Sequence, residues 1–266
     1  MIKLEKSVLP SPDLAPFIVS YNFYSVEADG LDAFMVPEGA IELVIQRGAE
    51  ISQSDWDGNT WTKRDTGFIG GLHHKGFNLK VNSSGNLLSI RFKPGAFSHF
   101  IWQPTNLLVN TMVSLQDLWG EQDSLDFIDQ IQQAPTSTQQ IAILERVLRS
   151  QYRDHDFAYL SQAAVDLIHP PFLSISDLSE KYNLSKSRFR ELFGRVVGCS
   201  PKQFFQTRRI NAIIGEQDKG HSLTKLGLKF GYYDQAHFIR DFKAVTGCRP
   251  SAFSRNQLMH DPAFLF

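Results

Sequence analysis

The stretch LTKLGLKFGYYDQAHFIRDFKAVTGCRP, residues 223–250, decides the fold of the last third of this 266-residue chain. Leu223 and Leu226 share one face of a short helix, and Gly231 lets the chain turn with a positive φ. A second helix is predicted to begin after Asp234, which is a suitable N-cap. Its apolar stripe consists of Phe238, Phe242 and Val245, and Gly247 and Pro250 end it. A helix, a tight turn and a second helix form a helix-turn-helix unit.

The same pattern occurs a second time, 49 positions earlier. Phe189, Phe193, Gly198, Cys199 and Pro201 have identical counterparts at that spacing, namely Phe238, Phe242, Gly247, Cys248 and Pro250. Upstream, Ile175 and Leu178 correspond to the two leucines, Tyr182-Asn183 to the turn, and Ser185 to the cap. The chain therefore predicts two helix-turn-helix units, at 173–198 and 222–247, joined by one helix over 201–217. Two copies are too few for a solenoid.

Charged residues are distributed unevenly along the chain. Residues 171–256 contain 15 Lys and Arg against 7 Asp and Glu, a net charge of +8, whereas the rest contains 12 against 21, a net charge of −9. A basic module joined to an acidic remainder is typical of a nucleic-acid-binding domain attached to a second domain. For either unit alone, a helical hairpin that packs a core is the alternative interpretation.

The face of each second helix opposite its phenylalanines is the predicted DNA surface. Arg and Gln in a helix that enters the major groove pair bidentately with guanine and adenine. The candidates for base contacts are Ser187, Arg190, Glu191, Gln235, Ala236, His237 and Arg240. Phosphate contacts supply affinity without sequence information. The candidates for these contacts are Lys186, Arg188, Lys202, Lys225, Lys243 and Arg249.

Residues 223–253 resemble the signature of the AraC/XylS family of bacterial transcription regulators. The matching pattern is Leu223-x-x-Leu226…Gly231-Tyr-x-Asp234-x-x-x-Phe238-x-Arg240-x-Phe242-Lys243…Gly247-x-x-Pro250-Ser251-x-Phe253. The upstream unit agrees with it in spacing. Three positions depart from the family pattern: Gly227 stands where Ala is common, Ala236 where Ser is common, and Asn183 where Gly is usual.

This resemblance implies two helix-turn-helix units on one long helix that begins at Pro201. Such an arrangement would place the two reading helices in adjacent major grooves, about 34 Å apart. It also implies double-stranded DNA and RNA polymerase as partners, a cytoplasmic location, and activation or repression of transcription. The sequence leaves open whether the chain forms a homodimer.

Residues 1–110 are predicted to be β-rich. The predicted strands are 17–26, 33–36, 40–46, 60–63, 68–70, 77–81 and 87–92. Turn-forming runs such as Asp57-Gly58-Asn59 separate them, which favours a sandwich or a small barrel. Short Gly-containing motifs, among them Gly67-Phe68-Ile69-Gly70-Gly71, resemble a cupin-like domain that accompanies some AraC-type regulators. The resemblance implies that this region binds a small-molecule effector or controls oligomerisation.

An effector pocket needs polar groups and apolar walls. The candidates for such a pocket are Glu38, Trp56, Trp61, Phe68, Arg91 and Phe92. A structural interpretation competes with this one, since alternating aromatic residues usually form a core, and Glu38 and Arg91 could simply be an ion pair.

Enzymatic activity is not expected. Metal-binding cupins need convergent histidines, whereas His73 and His74 are adjacent and would point to opposite faces of one strand, with His99 far away. No nucleophile-elbow or phosphate-loop spacing occurs. We therefore predict no catalytic residue, no metal and no cofactor. The alternatives to an effector-controlled regulator are a constitutive, ligand-free dimeric DNA-binding protein and, least favoured, a cupin-type metalloenzyme.

Helical periodicity begins near residue 94. A short helix is predicted over 94–102, and later helices are predicted from three stripes: Leu125, Ile128 and Ile131; Ile141, Leu144 and Leu148; and Phe157, Leu160, Ala164 and Leu167. Thr138 is the predicted cap of the second of these helices. Residues 111–169 thus form a helical extension that either dimerises or packs against the β-rich region. Pro170-Pro171 is the predicted boundary of the DNA-binding domain, 170–266.

The remaining features agree with an intracellular regulator. No stretch approaches the roughly 18–20 apolar residues of a membrane span, and the N-terminus lacks a signal-peptide pattern. Cys199 and Cys248 are expected to be free thiols in a reducing compartment, a disulfide being the alternative. The sequence as a whole predicts an α+β protein with a β-rich N-terminal domain, a helical extension and an all-α C-terminal domain.

Overall fold

The computed structural model describes residues 2–28, 32–54, 60–169, 173–216 and 223–253. The strands are β1 Ile2–Val8, β2 Ile18–Val26, β3 Asp32–Met35, β4 Glu42–Arg47, β5 Glu50–Ser54, β6 Trp61–Lys63, β7 Gly67–Gly70, β8 Phe77–Ser83, β9 Gly85–Phe92 and β10 Met112–Ser114. The α-helices are α1 Leu115–Trp119, α2 Glu121–Gln133, α3 Ser137–Gln151, α4 Tyr159–Ile168, α5 Ile175–Lys181, α6 Lys186–Val197, α7 Pro201–Glu216, α8 Leu223–Lys229 and α9 Gln235–Thr246. Short 3₁₀ helices cover Ala96–Phe100, Thr105–Leu108 and Pro250–Ala252.

The strands form two antiparallel sheets. The larger has the order β1-β2-β9-β4-β7-β10, and the smaller has the order β3-β8-β5-β6. Side chains alternate between the two faces of a strand. On β9, Leu87 therefore faces an apolar cluster shared with β5 and β8, while Leu88 and Ile90 face a cluster shared with the helices. The larger sheet is thus covered on one face by the smaller sheet and on the other by helices.

The helix-side cluster is the main core of the molecule and extends into the C-terminal region. It takes Leu43 and Ile90 from the larger sheet, and it continues through helices α1 to α6 as far as Phe204 on α7. Phe127, Ile131, Leu144, Leu148, Leu160 and Leu167 are all buried in it. The apolar faces of α2, α3 and α4 therefore pack against the β-rich region, which is the second of the two roles predicted for the helical extension.

A separate core lies under the second helix-turn-helix unit. Its buried members include Ile210, Ile213 and Ile214 of α7, and Phe238, Phe242 and Val245 of α9. Helix α7 consequently contributes Phe204 to the main core and its isoleucines to the second core.

Several local predictions differ from the structure. The helix expected over 94–102 is a 3₁₀ helix over Ala96–Phe100. Thr136, not Thr138, caps α3, since its hydroxyl accepts a hydrogen bond from Gln139 N at 3.3 Å. Leu125 is 39% exposed because Ser124 and Phe127 occupy the inward face of α2.

The β-rich region extends beyond its predicted limit. Strand β10 pairs with β7, so the β-rich sheet runs to Ser114, beyond residue 110. The predicted boundary at Pro170-Pro171, Gln217 at the end of the linker, and the turn at Asp57-Gly58-Asn59 lie outside the described residues. None of the helices in the described ranges is both long and apolar enough to cross a membrane.

Candidate nucleic-acid interface

The first helix-turn-helix unit consists of α5 and α6, and local side chains set its geometry. Ser174 and Asp177 form a capping box at the start of α5. Asn183 has a left-handed φ of 52° in the turn, and the Ser185 hydroxyl accepts a hydrogen bond from Arg188 N at 3.2 Å. Gly198 ends α6 with φ 104°. These groups satisfy backbone donors and direct the chain from α5 into α6.

The second unit, α8 and α9, uses the equivalent positions. Gly231 adopts φ 83° in the turn, and the Asp234 carboxylate accepts a hydrogen bond from His237 N at 2.7 Å. Gly247 ends α9 with φ 79°. The predicted repeat of helix, left-handed turn residue, capped second helix and glycine stop is therefore confirmed in both units.

Helix α6 presents its predicted base-contact side chains to solvent. Phe189 and Phe193 are fully buried in the main core, while Ser187, Arg190 and Glu191 are exposed on the other side. Glu191 Oε1 lies 2.8 Å from Arg188 Nη1 in an (i, i+3) ion pair. Because that pair is exposed, it contributes little stability, and either side chain can turn toward a nucleic acid at small cost.

Helix α9 exposes Gln235, Ala236 and Arg240, and it holds His237 more firmly. The Nε2 atom of His237 lies 3.3 Å from Asp241 Oδ2, and its ring meets that of Tyr232 edge-on with centroids 5.0 Å apart. The same Asp241 oxygen lies 3.5 Å from Arg209 Nη2 of α7.

Arg209 continues this cluster onto the long helix. Its guanidinium carbon lies 3.6 Å from the centroid of the Tyr232 ring, within the range of a cation–π interaction. Asp241 therefore joins the candidate reading side chain His237 to the helix that carries both units. We expect this to fix the direction of the imidazole.

The predicted phosphate contacts are all exposed: Lys186, Arg188, Lys202, Lys225, Lys243 and Arg249. Along the chain they lie within α6 to α9 or, in the case of Arg249, just after α9. Exposed positive side chains near a reading helix are suited to phosphate oxygens.

Sequence reasoning missed three residues near this surface. Tyr233 is 93% exposed and directly precedes the N-cap of α9, whereas its neighbour Tyr232 is buried. Asp241 and Arg209 were not proposed as partners of His237. The (i, i+4) spacing of His237 and Asp241 on one helix could have indicated their contact, because such residues are neighbours on a helix surface.

The structure does not bring the predicted effector residues around one site. Arg91 and Phe92 are neighbours on β9 and therefore lie on opposite faces, and Phe92 belongs to the helix-side core. Trp61 is 41% exposed on the edge strand β6, and Trp56 lies outside the described residues. Phe68 is buried and pairs with Val44 of β4.

Glu38 and Arg91 do meet. Arg91 Nη2 lies 2.5 Å from Glu38 Oε2, and Arg91 Nη1 lies 3.0 Å from Glu42 Oε1. The Arg91 side chain is only 4% exposed. Burial raises the pKa of the Glu42 carboxyl to about 7, although the Arg91 guanidinium opposes that shift. Glu38 and Glu42, both half-buried, thus form a charged cluster around the buried Arg91 guanidinium.

Two of the histidines considered for a metal site, His73 and His74, are adjacent, and His99 lies in a different environment. His73 and His74 lie in the loop between β7 and β8, so the interpretation of these residues as loop histidines holds and they do not occupy opposite faces of a strand. The ring of His73 packs on Phe77 with centroids 4.2 Å apart, and the Nδ1 atom of His99 lies 2.8 Å from Arg153 O. Within the described ranges, no three His, Cys, Asp or Glu side chains are grouped to hold a metal ion.

Two family models match this chain. One, described as a helix-turn-helix domain, matches residues 178–256, and the other, a domain of unknown function (DUF6597), matches residues 6–114. The first covers most of both units described above, and the second covers the β-rich region up to the end of β10.

Named relatives share the C-terminal region. The HTH-type transcriptional regulator ExsA of Pseudomonas aeruginosa is 30% identical over 80 residues, which are 29% of this chain and 28% of ExsA. The probable transcription factor PqrA of Proteus vulgaris is 29% identical over 90 residues, 34% of this chain and 74% of PqrA. This chain therefore spans less than a third of the length of ExsA.

Among solved structures, ToxT from Vibrio cholerae aligns with 90% of this chain and 98% of its own, at 11% identity and a TM-score of 0.46.

Proposed function

We propose that the protein is a sequence-specific DNA-binding regulator of transcription of the AraC/XylS type, since its C-terminal region matches a helix-turn-helix family model and two named transcription regulators. The observation that carries the proposal is the pair of capped helices, α6 and α9, which present basic and polar side chains to solvent while burying their phenylalanines. Double-stranded DNA is the primary partner, and RNA polymerase is the second.

The proposed reading mechanism divides the exposed side chains by role. Ser187, Arg190 and Glu191 of α6 and Gln235, Ala236, His237 and Arg240 of α9 face base edges in two successive major grooves. The surrounding lysines and arginines bind phosphates and make affinity fall steeply with salt.

The experiment is selection of binding sites from random duplex DNA by the full chain, followed by titration of the selected site. Arg240→Ala should weaken binding to that site by about 1–3 kcal/mol and relax base preference at one position. Lys243→Ala should weaken binding to all sequences and reduce the salt dependence. Lys93→Ala, which removes an exposed charge from the β-rich region, is the matched control. If Arg240→Ala binds selected and scrambled duplexes with unchanged selectivity, α9 does not read bases.

Control of DNA binding is assigned to the N-terminal domain, through a small molecule or through homodimerisation. The resemblance of the β-rich region to the N-terminal domain of some AraC-type regulators supports this part of the proposal. An effector changes DNA binding only if it binds two conformations with different affinity. A constitutive dimer is the competing function. An unbroken dimer whose melting temperature no small molecule shifts would favour it.

A further inference from the structure

The β-rich domain contacts the long helix α7 and the second helix-turn-helix unit mainly through one short segment, residues 34–39, which we call the docking segment. It contains the end of β3 and the connection toward β4. The side-chain amide of Asn211 on α7 donates a hydrogen bond to the carbonyl oxygen of Pro37. Arg208 Nη1, also on α7, donates to the carbonyl oxygen of Glu38 at 3.2 Å. Two side chains of the long helix thus bind consecutive backbone carbonyls of the docking segment.

Apolar contacts extend the same interface to the second unit. Val36 is 3% exposed and belongs to the core formed by α7, α8 and α9, with Phe34 packed against that core. Outside the docking segment, Gly76 N donates to Val245 O, in the last turns of α9, at 3.0 Å. The second core therefore includes a side chain from the β-rich domain.

Gly39 shows how closely the long helix approaches. Its φ is 69°, and a β-carbon built there would lie 3.1 Å from Arg208 Cδ and 3.7 Å from Phe204 Cε2. Glycine is the residue that accepts both this conformation and this proximity.

The first unit is attached in a different way. Phe189, Leu192 and Val197 of α6 are buried in the main core together with residues of the larger sheet. The 3₁₀ helices at 96–100 and 105–108 pack on α6, and a β-carbon at Gly198 would come within 2.8 Å of Leu72 Cδ1. The first unit is therefore an integral part of the N-terminal core, whereas the second has its own core and meets the β-rich domain mainly at the docking segment.

The charged cluster around Arg91 connects the docking segment to the centre of the larger sheet. Arg91 and Glu42 are directly opposite each other on the neighbouring strands β9 and β4. Glu38 binds Arg91 through its carboxylate and Arg208 through its backbone carbonyl. A displacement of Arg91 or Glu38 consequently changes the position of the atoms that hold α7.

We propose that the docking segment is a regulatory contact: through it the β-rich domain fixes the second helix-turn-helix unit, while the first unit stays part of the N-terminal core. The two units then move separately, and a change in the sheet repositions α9 relative to α6. The regulatory role of this contact rests on the proposed DNA-binding function. The separate attachment of the two units does not depend on that function.

The test is amide hydrogen exchange in the full chain without DNA. Asn211→Ala removes the hydrogen bond to Pro37, and Val36→Ala weakens the same interface from the other side. Each variant should speed exchange in α8 and α9 by about tenfold and leave exchange in α6 within about twofold of the wild type. Gln206→Ala, on the same helix and half-buried, is the matched control and should change neither region.

Two results would overturn the proposal. Equal acceleration in α6 and α9 would mean that both units form one body, and unchanged exchange in α9 in both variants would mean that the docking segment does not hold it. Because no DNA is present, a failure here is separate from a failure of the proposed function, which the site selection measures.

Discussion

The ring of Phe238 on α9 lies directly over the backbone of Gly227 on α8: a β-carbon at Gly227 would come within 2.8 Å of Phe238 Cγ and 2.9 Å of Phe238 Cδ2. Helices α8 and α9 therefore approach each other so closely here that position 227 has no space for a side chain. Gly227, which departs from the Ala common in the family, is explained by this contact.

Gly227→Ala should destabilise the protein although alanine is the better helix former. Introducing the methyl group forces the fully buried Phe238 ring to move, which we expect to cost about 1–3 kcal/mol, more than the roughly 1 kcal/mol gained in helix propensity. Urea unfolding measures the net change. Gly194→Ala in α6 is the control, since a β-carbon there meets nothing closer than 4.0 Å and the substitution should be neutral or stabilising. Equal effects of the two substitutions would contradict the packing explanation.

Asn183 and Gly231 hold the left-handed position in the two turns, with φ of 52° and 83°. Asn183→Ala should cost about 1 kcal/mol of unfolding free energy because alanine tolerates this conformation poorly, and Asn183→Gly should stay within about 0.5 kcal/mol of the wild type. Thermal unfolding of the three proteins provides the measurement. If alanine and glycine are equivalent at this position, the turn does not depend on its backbone conformation.

Asp241 should matter for DNA reading without touching DNA. It anchors His237 and Arg209, so Asp241→Ala frees the imidazole and should weaken binding to the selected site by about 1–2 kcal/mol. A double-mutant cycle with His237→Ala separates this role from a general loss of stability. Coupling of at least about 0.5 kcal/mol is expected. Additive effects would show that Asp241 acts independently of His237.

His73 should make the protein sensitive to mild acid. Burial lowers the pKa of its imidazole to about 4, and its Nε2 atom is buried without a hydrogen-bond partner. The unfolded state therefore binds more protons than the folded state between about pH 6.5 and pH 4, so stability falls as the pH falls through this window.

Replacing this histidine isolates its contribution. Between pH 7 and pH 5, the unfolding free energy of His73→Phe should fall by about 1 kcal/mol less than that of the wild type. The expected difference is no larger because the His73 side chain is only half-buried. His169→Gln, at an exposed position, should follow the wild type. Parallel pH profiles for all three proteins would show that other groups cause the acid sensitivity.

Much of the C-terminal region could be predicted because its determinants are local. A cap, an apolar stripe and a glycine stop act over a few residues, and each has the predicted role in the structure. Strands β1, β5 and β10 were not predicted, because they depend on pairing with distant strands. Strand β5 has the sequence Glu-Ile-Ser-Gln-Ser and is mostly buried because β8 and β6 flank it. Such polar residues form strands only in a suitable tertiary context.

Some features of the candidate DNA surface could likewise be predicted from the local sequence, and others could not. Which face of α6 and α9 is exposed follows from helical periodicity, and the structure agrees. That the opposite face of α6 is buried under the β-rich domain depends on chain-wide packing, and the sequence carries no local signal for it. The predicted effector pocket overlooked the alternation of side chains along a strand. Arg91 and Phe92 are adjacent on β9, so their side chains lie on opposite faces of the sheet and cannot line one cavity.

The main core also sets the timing of folding during synthesis. Its buried residues run from Leu14 to Phe204, so the chain must leave the ribosome as far as Phe204 before this core can close. Until then the part of the core that α6 and Phe204 cover is exposed. A nascent chain of this kind depends on protection from aggregation for longer than one whose first domain is complete at its own C-terminal end.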